Sequence, residues 1–264
     1  PRMKKSLLLL AFLLIATPAW AANRYFIKTG GNFSDTTKWA ASSASAAANT
    51  NDGATPTTGD DVFLDNTGNC VIDAATSAIN SLNMTGYTGT LSGTFDITVT
   101  VASGTSTVLF AGTSPTWSGI LKLNPAAGTT INLTFGSLTT AGTCGGITIA
   151  GTTTGVVNML DNVTIGATKV VTLTSGTLTT DGVANRTHSW GLFDGSASTN
   201  KTLTLGNSNI TLTGTGTTWN LINGTLVLTA NTATITLSGA NAIFTSKTLT
   251  YGGEVKFTGG GVMA

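Results

Sequence analysis

Apolar side chains recur at every second position through most of the chain, in short runs broken by Gly, Asn, Ser or Pro. Ile97-Thr98-Val99-Thr100-Val101, Ile120-Leu121-Lys122-Leu123, Ile131-Asn132-Leu133-Thr134-Phe135 and Ile147-Thr148-Ile149 are typical, with Val163-Thr164-Ile165 and the stretch from Val170 following. A period of two puts one set of side chains on one side of an extended strand and the other set opposite. No run has helical length with helical spacing, so the pattern predicts an all-β chain of many short strands. Leu, Ile and Val take the inward places and Thr the outward ones, where its β-branch suits extended backbone and its hydroxyl stays wet.

A second, longer period lies over the first. Residues 203–237 shifted by 25 positions bring Leu203 onto Leu228, Ile210 onto Ile235, Leu212 onto Leu237, Gly214 onto Gly239 and Trp219 onto Phe244. A fixed repeat of alternating strands with Gly between them predicts a β-solenoid of about 20–25 residues per coil. In such a stack Leu203, Leu205, Ile210, Leu212, Leu226, Leu228, Ile235 and Leu237 face inward, and Trp219 stacks on Phe244. Gly and Asn at the breaks supply the corners.

The ends and one internal stretch depart from this repeat. Met3-Lys4-Lys5, an apolar run from Leu7 to Ile15 and Ala19-Trp20-Ala21 have the three parts of a Sec signal peptide, so residues 1–21 are expected to be removed on export. The apolar run is too short to span a bilayer, and no later one could do so. Residues 22–69, with a low-complexity loop over 40–58, read as an N-terminal cap and first coil, since an open stack exposes unpaired strand edges. Residues 70–264 read as the solenoid, expected to continue beyond Ala264 because nothing resembling a closing cap follows Gly252. Residues 181–194, Asp181 to Asp194, are richer in polar and aromatic side chains than their neighbours and predict either a widened coil or a loop leaving the stack.

Composition narrows the function. Charged residues make up 9% of the 264-residue chain, and Thr about one residue in five. Removing Arg2, Lys4 and Lys5 with the leader takes the 12 basic residues to 9 against 11 acidic, and they are scattered singly. That leaves no electrostatic footprint for nucleic acid. Export permits a disulfide between Cys70 and Cys144, although a separation of 74 positions puts them several coils apart; the alternative is two small buried side chains.

Candidate chemistry is sparse. The chain has one Glu, Glu254, and one His, His188, and no Gly-x-Ser-x-Gly turn supports a nucleophile; no catalytic residue is assigned. Asp60, Asp61 and Asp65, with Asp73 nearby, form the one dense acidic cluster, and Asp60, Asp61 and Asp65 are candidate Ca²⁺ ligands; no other cofactor is expected. The alternative role for Asp60, after Gly59, is to cap a turn. Trp190, beside Arg186 and His188 in the irregular stretch, is the candidate exposed ligand contact, because an indole offers a sugar a large apolar face. For His188 the competing reading is a solvated loop side chain. Thr-x-Thr pairs such as Thr177/Thr179 and Thr202/Thr204 suggest the ladders of an ice-binding solenoid, although the 25-residue offset matches Thr211/Thr213 with Thr236 and Ser238 and leaves the ladder imperfect.

Gly31-Asn32-Phe33-Ser34-Asp35 with Trp39, then Pro56 and Gly59-Asp60-Asp61-Val62-Phe63-Leu64-Asp65, resemble a pattern of autotransporter-type passengers and related secreted β-helix proteins. The Thr-Leu-Thr coils from Val170 resemble repeats of large bacterial surface proteins and phage-associated β-helices. Phe33 stands where that pattern usually has Trp. The resemblance implies a right-handed parallel β-helix with a surface or adhesive role. The expected function is therefore a non-catalytic, secreted or cell-surface stalk or adhesin of a bacterium, with host or cell-surface glycans or proteins as partners. A carbohydrate-binding or polysaccharide-degrading β-helix, including phage-tail-like receptor binding, is the alternative, and ice binding a third.

Overall fold

The structure, a computed structural model, describes residues 21–111, 116–136, 144–180, 185–222, 225–246 and 249–264; the leader expected over residues 1–21 therefore lies outside the described residues, apart from Ala21. The alternation seen in the sequence becomes an alternation of burial. In Ile97–Val101 the three aliphatic side chains are buried and Thr98 and Thr100 are half-buried, and Thr130–Thr134 repeats this with Ile131 and Leu133 inside. One flank of each such strand seeks an apolar partner, and parallel stacking supplies it from the coils above and below, about 4.8 Å away. The result is a β-solenoid of parallel stacked coils.

Two long faces run along the stack. The first carries Asn23–Phe26, Asp61–Phe63, Ser81–Asn83, Thr105–Leu109, Thr130–Thr134, Val156–Met159, the second half of Val170–Thr179, Lys201–Thr204 and Leu226–Thr229. The second face runs from Ile97–Val101 through Ile120–Pro125, Gly146–Ala150 and the first half of Val170–Thr179 to Leu192–Asp194, Gly216–Leu221, Ala242–Ser246 and Val262–Met263. Val170–Thr179 bends from the second face onto the first, with its register shift opposite Ile149 and Ala150. Two shorter sheets complete the coils: Gly31–Asn32, Cys70–Ile72 and Leu91–Gly93 near the start, and Thr187–Trp190, Asn209–Leu212, Thr234–Leu237 and Glu254–Phe257 near the end.

The 25-residue period is realised in the register. Leu203 pairs with Leu228, Ile210 with Ile235, Leu212 with Leu237 and Trp219 with Phe244. Later coils vary from 19 residues, Ile243 beside Val262, to 26, Ile120 beside Gly146. Gly214 and Gly239 recur because the backbone of the coil before presses on each corner: a Cβ on Gly239 would sit 1.6 Å from the Gly214 carbonyl oxygen, and one on Gly214 2.6 Å from that of Gly191. Of the expected inward residues, Leu203, Leu205, Ile210, Leu212, Ile235 and Leu237 are buried. Leu226 and Leu228 are only partly buried; among the described residues theirs is the last strand of its face, so a strand covers that row from one side alone.

The first coil is longer, with 38 positions between Asn23 and its partner Asp61. Phe26 pairs antiparallel with Trp39 as well as lying in the parallel stack. Trp39 is fully buried, edge-on to Phe26 and Phe33, and its indole N–H donates to the Phe33 carbonyl at 2.8 Å. Where the sequence suggested only a loop, Ser43–Ala47 forms a short helix, its N-cap Ser42 accepting from the Ser45 N–H. Ala46 packs there with Ile27 and Ala40.

From Thr187 on, the stretch that broke the repeat in the sequence belongs to the stack. Asp181 and the three residues after it lie outside the described residues, but Thr187–Trp190 and Leu192–Asp194 are ordinary rungs. Thr187 pairs with Asn209 and Val170 with Leu192, each an offset of 22 and within the normal range. The expected widened coil or projecting loop is corrected for residues 187–194, which are rungs of the stack; for residues 181–184 that expectation lies outside the described residues. The stretch's aromatic residues are core: Trp190 stacks on Phe193 at 5.8 Å, Phe193 on Trp219 at 4.6 Å and Trp219 on Phe244 at 5.6 Å. Each such pair adds about 0.5–1.5 kcal/mol beyond burial.

Candidate functional site

The residues that looked most like a site are inside. Trp190 and His188 each have 0% exposure, which corrects both the exposed Trp190 contact and the solvated-loop reading of His188. Strand parity is the cause: on Thr187–Trp190 positions 188 and 190 point inward with Ile210 and Leu212 of the next rung. His188 Nδ1 accepts from the Val163 N–H at 3.2 Å, and Nε2 lies 3.1 Å from the Thr180 carbonyl oxygen. An acceptor at Nδ1 sets the tautomer with hydrogen on Nε2, which donates to Thr180. The Thr180 and Ser208 hydroxyls, 3.1 Å apart, extend this interior polar cluster. Arg186 is half-buried, and among the described residues neither its Nε nor the Trp190 indole nitrogen has a hydrogen-bond partner.

Asp60, Asp61 and Asp65 are not brought together as ligands. Asp60 is 3% exposed; it accepts from the Ala22 N–H at 2.8 Å and from the Thr57 N–H and hydroxyl at 2.8 and 2.9 Å, with Arg24 3.5 Å away. Burial works to raise its pKa, but those donors and the Arg24 charge outweigh it and hold the carboxyl below its ordinary 3.8. It closes the turn, as its place after Gly59 suggested. Asp65 accepts from the Ser43 hydroxyl at 2.5 Å, tying the short helix to the stack. Among the described residues no group of three His, Cys, Asp or Glu side chains is placed to hold a metal ion, so the three carboxylates do not fit a Ca²⁺ ligand set.

Cys70 and Cys144 are both free and buried. Burial drives the Cys70 thiol pKa up and that of Cys144 to about 11. Both are small core side chains, as one of the two readings had it.

A concave polar surface lies on the first face. Beside the cap, Asp61, Phe63, Asn80, Ser81, Asn83, Thr105, Ser106 and Thr107 line a groove of about 270 Å³. The Phe63 ring is stacked on Tyr25, 4.6 Å between centroids and 15° from parallel. Asp61 Oδ1 accepts from Asn80 Nδ2 at 2.8 Å and from the Ser81 hydroxyl at 2.5 Å. Oδ2 takes no hydrogen bond from any described residue, and no described cation pairs with this carboxylate. The Ser106 hydroxyl donates to the Asn80 carbonyl at 2.5 Å and fixes the floor.

From the groove two columns of side chains run along the same face. One is Thr105, Thr130, Val156, Thr177, Thr202 and Val227; the other is Thr107, Asn132, Asn158, Thr179, Thr204 and Thr229. None of the twelve is charged, and Asn158 donates to Asn132 at 3.2 Å. The Thr177/Thr179 and Thr202/Thr204 pairs are in direct register, so this face carries a more regular ladder than the Thr211–Thr236 column.

Tyr25, Phe63 and Asn83 were not singled out from the sequence. The signal was there in parity: Val62 and Leu64 are aliphatic and inward, which sends Asp61, Phe63 and Asp65 outward together.

Fold and surface together define a β-solenoid whose first face carries two uncharged columns, mostly Thr and Asn. No model of a protein family matches the chain, and neither the curated proteins nor the solved structures searched contain a match.

Proposed function

We propose that the chain is an exported, non-catalytic solenoid that serves as a stalk or adhesive segment at a bacterial cell surface, of the kind found in autotransporter-type passengers and phage-associated β-helices. The observation that carries this reading is where the chain spends its reactive groups. Its one histidine orients an interior rung, Asp60 closes a turn, and Asp65 anchors a helix. Beyond the groove, the first face carries two uncharged columns, mostly hydroxyl and amide side chains, suited to weak contacts repeated along a rigid rod. Glycosidic cleavage needs two carboxyl groups about 5–10 Å apart across the bond, one of them held protonated, and Asp60 is instead held ionised. The leader accounts for export, and among the described residues no helix is long and apolar enough to cross a membrane.

The test is incubation of the full chain with a panel of polysaccharides while released reducing ends are assayed, together with protease shaving of intact expressing cells. No reducing ends and removal by the protease are expected. Chain cleavage abolished by Asp60→Asn or Asp61→Asn would replace this reading with a depolymerase.

One observation favours a second reading. The twelve uncharged positions repeat at about 4.8 Å across strands and about 7 Å along them, and eight of them are Thr, whose methyls and hydroxyls in such an array could order water as an ice face does. Measurable thermal hysteresis, lost in Thr179→Lys, would put this reading first; its absence removes it.

A further inference from the structure

The groove beside the cap differs from the rest of the first face in having an aromatic wall and a carboxylate with a free oxygen. Phe63 is held upright by Tyr25, so a flat apolar partner would meet a ring whose rotamer is already fixed, at little entropic cost. In its column Asn83 follows Phe63, and Asn83 turns its Oδ1 to the Thr85 N–H at 2.9 Å, leaving its amide NH₂ available beside the ring. Asp61 Oδ2 can accept, and the exposed Thr105 and Thr107 hydroxyls can donate or accept.

An apolar ring face beside one strong acceptor and several neutral hydroxyl and amide groups matches a sugar, which has an apolar face of C–H groups and a rim of hydroxyls. The charge pattern narrows this further. No described cation balances Asp61, so a sulfated, phosphorylated or uronic acid unit would meet uncompensated repulsion. At about 270 Å³ the groove is slightly below the range of enclosed small-molecule pockets, about 300–1,000 Å³. That suits a ligand that continues past it, and the uncharged columns lead away from it along the stack.

We propose that the groove lined by Asp61, Phe63, Asn83, Thr105 and Thr107 binds a neutral polysaccharide, one sugar ring resting against Phe63 with a hydroxyl donating to Asp61 Oδ2, and the chain continuing over the Thr and Asn columns. This rests on the adhesive reading and gives it a ligand class.

The test is retention of the full chain on insoluble neutral polysaccharides (cellulose, chitin, mannan) and on a glycan array holding neutral, acidic and amino sugars. Neutral glycans should be retained. Phe63→Ala should weaken retention about tenfold or more, the loss of one apolar contact surface. Asp61→Asn, which keeps the shape, should weaken it by at least about threefold. Thr236→Ala, on another sheet, should change nothing. Thermal melts of each variant report folding, and Asp61→Asn remains diagnostic if Phe63→Ala is poorly folded. Retention unaffected by both groove variants, preference for acidic or amino glycans, or no retention on any neutral glycan would overturn the proposal. Its failure is separable from that of the adhesive reading: lost retention without released reducing ends sinks only the ligand, whereas released reducing ends sink the non-catalytic role even where binding persists.

Discussion

Trp190 with His188, and Phe63 with Asp61, are two aromatic–titratable pairs on short strands, and they end in opposite environments. On Thr187–Trp190 the pair sits at inward positions and both side chains are fully buried. On Asp61–Phe63 the pair flanks a buried Val62 and faces outward. Residue type is similar in the two places; position in the pleat decides. Trp190 adds to an aromatic stack through Phe193, Trp219 and Phe244, whereas Phe63 stacks on Tyr25 at the edge of a groove. In a solenoid, chemistry is available only to residues of outward parity.

The comparison can be broken most sharply at Trp190. Trp190→Ala should cost about 3–5 kcal/mol by opening a cavity in the stack, read as a lower Tm and denaturation midpoint; a change below about 0.5 kcal/mol, normal for surface sites, would put Trp190 outside the core. Next is His188→Leu, which keeps the bulk but leaves the Val163 N–H without its acceptor, while the Thr180 carbonyl keeps the Ser208 hydroxyl. About 1–3 kcal/mol for the orphaned Val163 N–H is expected from denaturant unfolding.

Acid should act on the cap more than on the later coils. Asp60, Asp35, Asp73 and Asp96 all have pKa values held below 3.8. A carboxyl whose pKa is lower folded than unfolded stabilises the fold above its unfolded pKa, about 3.9, and that contribution is lost as pH falls through the folded value. Stability should therefore hold from pH 7 to about 5 and fall below about 4, with the slope reduced in Asp60→Asn. Asp60 joins Ala22 and Thr57 near the first strand, so hydrogen exchange in acid should rise there before it rises around Leu212. The smallest effect belongs to the ladder: Thr179→Ala, outward and in register with Thr204, should change stability by less than about 0.5 kcal/mol.

Much of the fold was legible in the sequence because a solenoid writes its geometry locally. Alternation gave the strands, and the match of Ile210 to Ile235 and Trp219 to Phe244 became the observed register. The site was much less legible. Polar and aromatic residues around Trp190 looked like an interruption, since a buried His and Trp carry the same letters as exposed ones. Their inward parity is set by the pairing of Thr187 with Asn209. Tyr25 and Phe63 are 38 positions apart, and only closure of the first coil around the short helix makes them neighbours. Lys201 shows the same limit: it occupies an inward place at 3% exposure, its ammonium donating to the carbonyls of Ala197 and Thr199, where the alternation called for an aliphatic side chain.

The most direct test of outward parity as the basis of function is retention of Trp190→Phe and Phe63→Ala side by side on a neutral polysaccharide. Trp190→Phe should bind as the unaltered chain does, and Phe63→Ala should lose about tenfold or more while melting within a few degrees of it. Loss of retention in Trp190→Phe with Phe63→Ala unaffected would contradict the account.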